Sequence, residues 1–304
     1  MRLDVFLTGQ LRRTSRNRTQ DIIRKSAYGE RGRPLKPNDR VQAESLIYLW
    51  RAPWDETPVP QEIPVVYEDE HLLAVDKPPN LPVHPSARYH KNTLIMMLKA
   101  ARPDEWLSLG HRIDRETSGV LLVSKSPECD RALKKQLEER RDLEKVYTAL
   151  TWGTPPIGPG PTRVERNLEL DPSSPYRVTM RVTDDETALY SSTVFEVLSE
   201  RTSGGRTYAQ VRATLETGRQ HQIRVHLQSL GTPIVGDKLY GPDPACFARG
   251  VDGELTEDDE AMLEIPRHAL HATRLRLEHP ITKADLTIEA PFPKDLADFW
   301  QTLA

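Results

Sequence analysis

Residues 110–125 read GHRIDRETSGVLLVSK. His111, Arg112, Asp114, Arg115 and Glu116 are five ionisable side chains within six positions, set directly before an apolar run. Asp114 stands between two arginines. A nearby positive charge favours the charged form of a carboxylate, so Arg112, Arg115 or a more distant arginine can keep Asp114 ionised while partly buried. A carboxylate held that way can serve as a nucleophile or a general base. Taken alone, the segment reads first as a turn in which Asp114 is a turn or cap residue.

Three further segments carry candidate chemistry. TGRQHQIRVHL (217–227) has Thr217 and Gln220 in capping-box spacing, and Ile223, Leu227 and Leu230 form an apolar stripe. Arg224 lies on the edge of that stripe, on the face of Gln220, where its fork can reach a semi-buried carboxylate. The plain alternative is a surface arginine on an amphipathic helix. Tyr147 opens the strand-like stretch VYTALTW, as core packing or as a platform for a nucleic-acid base. DKPPNLPVHPS holds four prolines, which suits a rigid loop lining a cleft, and Asn80 within it tolerates a positive φ at small cost. His221 and His226 lie five apart with no HExxH, and Cys129 and Cys246 form no CxxC, so no metal site is expected.

These residues need elements to hold them. LLAVDK and VLLVSK read as short buried strands, and Ser126–Pro127 start a helix with Cys129, Leu133 and Leu137 inward. Residues 188–199 and 206–216 form a hairpin around Ser-Gly-Gly, HALHATRLRLEHP and ADLTIEAPFP a second, and KDLADFWQTLA a terminal helix. Gly231 suits a helix stop. Hairpins outnumber βαβ units, so the fold class is α+β, with a largely antiparallel mixed central sheet flanked by helices and loops.

Length and charge bound the rest. The chain has 304 residues, 29% of them charged, and no apolar run near the roughly 20 residues that span a bilayer. No secretory signal is legible at MRLDVFLTGQLRR, and two distant cysteines suit a reducing cytoplasm. The net charge of −3 hides an uneven distribution. Residues 1–51 hold twelve Lys/Arg and five acids, a net +7, with Arg12, Arg13, Arg16, Arg18, Arg24, Lys25 and Arg51 among the cations. Residues 250–266 hold seven acids and no base. A basic head attracts phosphate backbones. Two helices are expected in it, at RLDVFLTGQL and TSRNRTQDIIRKSA. The Pro-rich stretch 52–64 is expected to link it to a domain over 65–304.

Together, DKPPNLPVHPS, GHRIDRETSGVLLVSK, KVYTALTWG, TGRQHQIRVHLQSLGTPIVGDKLYG and RHALHATRLRLEHP resemble, in order, the RluA-type RNA pseudouridine synthases over about residues 62–300. RLDVFL, SRNRTQDIIRKSA and GRPLKPNDRVQAES resemble a degenerate S-four-type RNA-binding domain, a small α/β module. The resemblance implies an isomerase that converts uridine in structured RNA to pseudouridine, with base flipping and with no cofactor or metal. It implies Asp114 as the catalytic aspartate, by covalent attack or by abstraction of a ribose proton. It implies Arg224 as its partner and Tyr147 as the aromatic stacked on the flipped base. Arg112 would fill the gap left by the flipped nucleotide. Arg16, Arg18, Arg24, Lys25, Arg219 and His221 are the further candidates for RNA contact. Ribosomal large-subunit RNA and tRNA are both open as substrate, and a cytoplasmic monomer is expected. The acidic stretch is expected to be solvated and to face away from RNA. A catalytically silent RNA-binding member of the same fold is the alternative. A carboxylate-pair glycosidase using Asp114 and Glu116 is a weaker one, since the basic head suits RNA.

Overall fold

The computed structural model describes residues 1–11, 14–50, 56–86, 88–139 and 143–303, in two units, Met1–Asp55 and Glu56–Ala304. Arg12, Arg13 and Arg51 of the basic head, and positions 52–55 of the expected linker, lie outside the described residues. In the first unit, helices α1 (Leu3–Gln10) and α2 (Arg16–Ser26) precede a two-stranded ribbon of β1 (Ala27–Tyr28) and β2 (Tyr48–Leu49). The helical spacing of Leu3, Leu7 and Ile23 places them in a small core with Ala27. Ser15 caps α2 by accepting from the Arg18 N–H. Asp4 is fully buried and takes hydrogen bonds from Arg2, Arg16 and Gln20, which ties the two helices together.

The second unit contains strands β3 (Val65–Glu68) and β4 (Leu72–Lys77), helix α3 (Leu94–Ala101), strands β5 (Ser108–Leu109) and β6 (Ser118–Ser124), and helix α4 (Pro127–Glu139). Strands β7 (Leu143–Trp152), β8 (Thr162–Leu170), β9 (Met180–Thr183), β10 (Leu189–Ser203) and β11 (Arg206–Leu215) follow. Next come α5 (Gln222–Ser229), α6 (Ala245–Asp252) and α7 (Glu257–Leu263), then β12 (Leu270–Glu278), β13 (Asp285–Glu289) and α8 (Lys294–Thr302). The strands form one sheet in the order β3-β4-β6-β12-β7-β11-β10-β8-β9, with β13 on β12 and β5 on β6. The pair β12–β6 is parallel and the other ladders are antiparallel. The α+β class with a largely antiparallel mixed sheet is therefore what the chain adopts.

The apolar runs of β4 and β6 are unbroken because both faces of these strands are covered. Leu73, Val75, Leu121 and Val123 pack with Leu94, Ile95 and Leu98 of α3. Leu72, Ala74, Val120 and Leu122 pack on the opposite face with Cys129 and Leu133 of α4. Ser126 caps α4 through the Cys129 N–H. Burying each such Leu or Val stabilises the fold by about 1.5–3 kcal/mol. A third cluster joins β7, β11 and β12 to Ile223 and Leu227 of α5 and Leu296 of α8.

Where β6 meets β12, Gly119 has φ +108, and a Cβ there would sit 2.2 Å from the Ala272 carbonyl oxygen. Only glycine lets the two strands pair this closely, which explains the Gly that ends Thr-Ser-Gly. Asn80 has φ +62, as its place in the proline loop allows.

Two expectations need correction. Residues 56–64 are packed on the second unit and are not a free linker, because the stretch contains apolar residues that bury. Val59 joins the α3-side core with Ile63 against it, and the Glu56 carboxylate accepts from the backbone N–H groups of Lys91 and Asn92 at 2.9 and 2.8 Å. The start of α5 also differs. Thr217 and Gln220 form no capping box, and Gln220 lies before the helix. Gln222 takes the organising role instead. Its Oε1 accepts from Thr217 Oγ1 (2.6 Å) and the Arg219 N–H (2.9 Å), and its Nε2 donates to Ser192 O and Thr193 Oγ1.

Candidate active site

The loop from Gly110 to Thr117 joins β5 to β6 and carries Arg112 and Asp114. Rigid neighbours fix it. The Nζ of fully buried Lys77, at the end of β4, donates to the carbonyls of Pro78 (2.8 Å), Leu81 (3.0 Å) and Arg115 (2.9 Å). One cation thereby ties the proline loop to the residue after Asp114. Burial pulls the Lys77 pKa well down, yet three carbonyl acceptors match the three protons of an ammonium, so the charged form fits this geometry. On the other side Glu116 accepts from Lys238 Nζ (2.9 Å) and the His268 N–H (3.0 Å), and Thr117 Oγ1 meets His268 Nε2 at 2.7 Å. Glu116 is thus fully engaged and offers no second free carboxylate beside Asp114, which removes the geometric basis of the glycosidase reading.

Helix α5 delivers Arg224 to this loop. Its Nη1 donates to Asp114 Oδ2 at 2.9 Å. The bidentate contact goes elsewhere: Nε and Nη2 bond the two oxygens of Asp237 at 2.6 and 2.8 Å. The Arg224 guanidinium carbon also lies 4.9 Å from the Tyr240 ring centroid. Side-chain exposure is 7% for Arg224, 1% for Asp237 and 29% for Asp114. Asp237 accepts two more hydrogen bonds, from the N–H groups of Leu239 and Tyr240. It is a buried anchor, while Asp114 is the carboxylate presented to the cavity.

Electrostatics follow from this arrangement. Burial alone would raise the Asp114 pKa, but the surrounding charges of His221, Arg224 and His268 hold it down to about 2. His221 and His268 are themselves pushed down to about 4, by burial first and then by Arg224. Both imidazoles carry charge in the acid range where Asp114 titrates but are neutral near pH 7, where Arg224 is the cation bonded to Asp114. Arg112 and Arg115 are not its ion-pair partners; Arg115 turns to Glu116 and the Tyr89 hydroxyl. The Tyr240 hydroxyl accepts from the Met180 N–H and meets His221 Nδ1 at 2.7 Å. His221 Nε2 faces Asp114 Oδ1 at 3.8 Å. His221 takes φ +55 to do so.

Tyr147 sits on β7 between the small residues Ala213 and Ala272 of the flanking strands, and is 8% exposed. Burial, and then the charge of Asp114, push its hydroxyl pKa up, so it is a protonated phenol at neutral pH. A cavity of about 270 Å³ is lined by Asp114, Tyr147, Arg224, Arg112, Arg219 and His221, together with His111 and Lys145. The structure thus brings together every candidate site residue of the second unit. A second cavity, of about 510 Å³, meets the first at Arg112, Ile113, Asp114, His221 and Arg224. Gly250 and Val251 line it. The first two residues of the acidic stretch, on α6, thus line the cleft. The stretch is not simply solvated, since Asp259 is buried by Arg249 and caps α7.

The candidates of the first unit lie on α2. Arg16, Arg18, Arg24 and Lys25 are exposed. Arg16 pairs with Asp4 and Arg24 with Asp21, at 3.0 and 2.8 Å. Sequence reasoning missed Asp237, Tyr240 and Lys77. The one local signal for Asp237 is a lone acid among the apolar and glycine residues of PIVGDKLYG.

Among the described residues no helix is long and apolar enough to cross a membrane. The family model for RNA pseudouridylate synthase matches residues 71–229, the segment that carries Asp114, Tyr147 and Arg224. The chain is 33% identical over 307 residues to the ribosomal large subunit pseudouridine synthase D of Pseudomonas aeruginosa, covering 97% of this chain and 89% of that one. It is 31% identical over 316 residues to an uncharacterized RNA pseudouridine synthase of Chlorobaculum parvum, covering 97% and 92%. Among solved structures, human RNA pseudouridylate synthase domain containing 4 superposes with a TM-score of 0.59 at 25% identity, over 79% of this chain and 92% of that one. The human domain containing 1 protein gives 0.61 at 23% identity, over 81% and 97%, a likeness of fold. The chain belongs to the RNA pseudouridylate synthase family, whose members are isomerases.

Proposed function

We propose that this chain converts uridine to pseudouridine in large-subunit ribosomal RNA, with Asp114 as the catalytic carboxylate. The observation that carries the reading is the Asp114 carboxylate, held 2.9 Å from Arg224 and presented to a cavity that Tyr147 also lines. The reaction needs an ionised group at the ribose, an aromatic face for the uracil, and a site closed enough to retain a detached base. The N1–C1′ bond breaks, the uracil turns, C5 bonds C1′, the C5 hydrogen leaves to solvent as a proton, and N1 takes up a proton in its place. Asp114 acts either by attack at the ribose or by taking a ribose proton, and both roles use the same ionised oxygen. Arg224 sets its charge and position. Tyr147 stacks on the base and, as a protonated phenol, stands near the carbon that loses its hydrogen.

A uracil stacked in RNA reaches such a cavity only by flipping out, at a cost of a few kcal/mol. Arg112 and Arg219 at the cleft, and the exposed cations Arg18 and Lys25 of an S-four-type first unit, offset that cost through contacts to the RNA. The ribosomal assignment follows the names of relatives such as that of Pseudomonas aeruginosa. The test is tritium release from unmodified large-subunit ribosomal RNA labelled at uridine C5, with unmodified tRNA in parallel. Wild type should release tritium from the ribosomal RNA, and Asp114→Asn should bind it with near-normal affinity and release none. Release by the variant removes Asp114 from the chemistry. Release from tRNA alone reassigns the substrate.

A further inference from the structure

The cleft has two lobes, and the uridine reading uses one of them. The smaller lobe, with Tyr147 and about 270 Å³, is of a size for one pyrimidine and part of its ribose. The larger lobe, about 510 Å³, shares Arg112, Ile113, Asp114, His221 and Arg224 with the smaller one and lacks Tyr147. Its walls include the apolar and aromatic Val83, Tyr89, Val178, Phe247 and Val251, beside the charged Arg115, Glu116 and Lys238. Arg112 lines both lobes and is exposed, and no ion pair engages it among the described residues. Arg88 also lines this lobe, donating to the Val251 carbonyl at 2.9 Å and to Asp252 at 2.7 Å.

We propose that the larger lobe is a subsite for the nucleotide next to the target uridine in the RNA chain. This rests on the uridine reading of the smaller lobe. The substrate is a polymer, so a uridine drawn into one lobe brings its neighbour to within one phosphodiester of Asp114. The shared wall of Arg112, Ile113 and Asp114 is where that phosphodiester must cross, and Arg112 is the cation placed there. Apolar walls with the aromatic rings of Tyr89 and Phe247 accept a base by stacking and desolvation. His84, also in the wall, brings an imidazole that can hydrogen-bond a base. The walls contributed by α6 make the subsite a determinant of sequence context. Residues of the acidic stretch thereby take part in substrate choice through Gly250 and Val251, not through charge.

The test is NMR titration of the full chain with 3′-UMP, 5′-UMP and the dinucleotides UpN and NpU, where N is each of the four bases. One dinucleotide series should bind at least about tenfold more tightly than the matching UMP, the gain of one stacked base. Val251→Trp and Val178→Trp each add bulk at a lining residue of the lobe. Each, with its melting temperature checked, should erase that gain and leave the UMP affinities unchanged. Dinucleotides that bind no better than UMP, or a gain that survives both fillings, overturn the subsite while leaving the uridine reading intact. A protein that binds neither UMP nor any dinucleotide overturns both.

Discussion

Arg224 serves two carboxylates with different geometry, and the difference assigns their roles. Asp237 takes the fork of the guanidinium, is buried and accepts two backbone N–H groups. Asp114 takes one nitrogen and keeps an oxygen toward the cavity. A buried ion pair is weak evidence for net stability, but removing one partner strands the other. Asp237→Ala should therefore destabilise the fold by about 3–5 kcal/mol, since it leaves Arg224 buried with only the partly exposed Asp114 as counter-charge. Urea melts of the variant and wild type measure this. A midpoint within error of wild type would mean that Asp114 and the Tyr240 face suffice for Arg224. Exchange of Arg224 for Lys keeps the charge and loses the fork, so it does not restore the site.

Elements fix these residues through close approaches as much as through apolar stripes. The stripes were legible: β4, β6, α4 and both hairpins lie where apolar pattern and capping put them, and Asn80 takes the positive φ its type permits. The close approaches were not. Nothing in Thr-Ser-Gly announces that β12 passes against Gly119, because its neighbour there, Ala272, is 153 residues away in sequence. Asp237 was illegible for a related reason. Its partner, on α5, is 13 positions back across a turn. The supposed Thr217–Gln220 capping box failed because Gln222 makes better use of Thr217, the Arg219 N–H and β10 together. Gly119→Ala should test the importance of approach. A Cβ 2.2 Å from a backbone oxygen cannot be accommodated by side-chain movement, so the parallel pair must part beside Asp114. We expect loss of cooperative unfolding or a fall of several kcal/mol in stability. Gly160→Ala is the control, with a positive φ of +78 and open space around it, and should cost about 1–2 kcal/mol. Equal costs at the two positions would show that φ alone, and not the approach of β12, demands glycine at 119.

Across the whole molecule, charge is divided between the two ends of the chain. Residues 1–51 carry +7 and the remaining 253 residues carry −10, which together give the net −3. Phosphate binding should therefore concentrate on α2. Replacing exposed Arg18 and Lys25 together by Ala should lower the slope of log affinity against log salt by about 1–2, one for each phosphate left without its cation. An unchanged slope, measured with large-subunit ribosomal RNA, would remove α2 from the RNA-binding face. The second global property is response to acid, set by the buried histidines. His221, His226, His268 and His271 all have their pKa pushed down to about 4, burial being the first cause in each. In the unfolded chain each titrates near 6.5. Between those values the unfolded state binds the proton and the folded state does not, so unfolding takes up protons and stability rises with pH. The stabilisation is complete above about pH 6.5 and is lost as pH falls through 4. Each group accounts for on the order of 3 kcal/mol across that window, against the roughly 5–15 kcal/mol that a typical domain has to lose. Asp114 and Asp237 extend the loss further, because their folded pKa values lie below the usual 3.8 and their stabilisation disappears only under still stronger acid. The urea midpoint should be level from pH 7 to 8 and decline steadily from 6.5 to 4.5. His226→Gln and His271→Gln should each make that decline shallower while lowering the midpoint at pH 7.5. A midpoint that stays level down to pH 5 would mean that these imidazoles take up protons inside the fold, and that the network around Asp114 is cationic where we describe it as neutral.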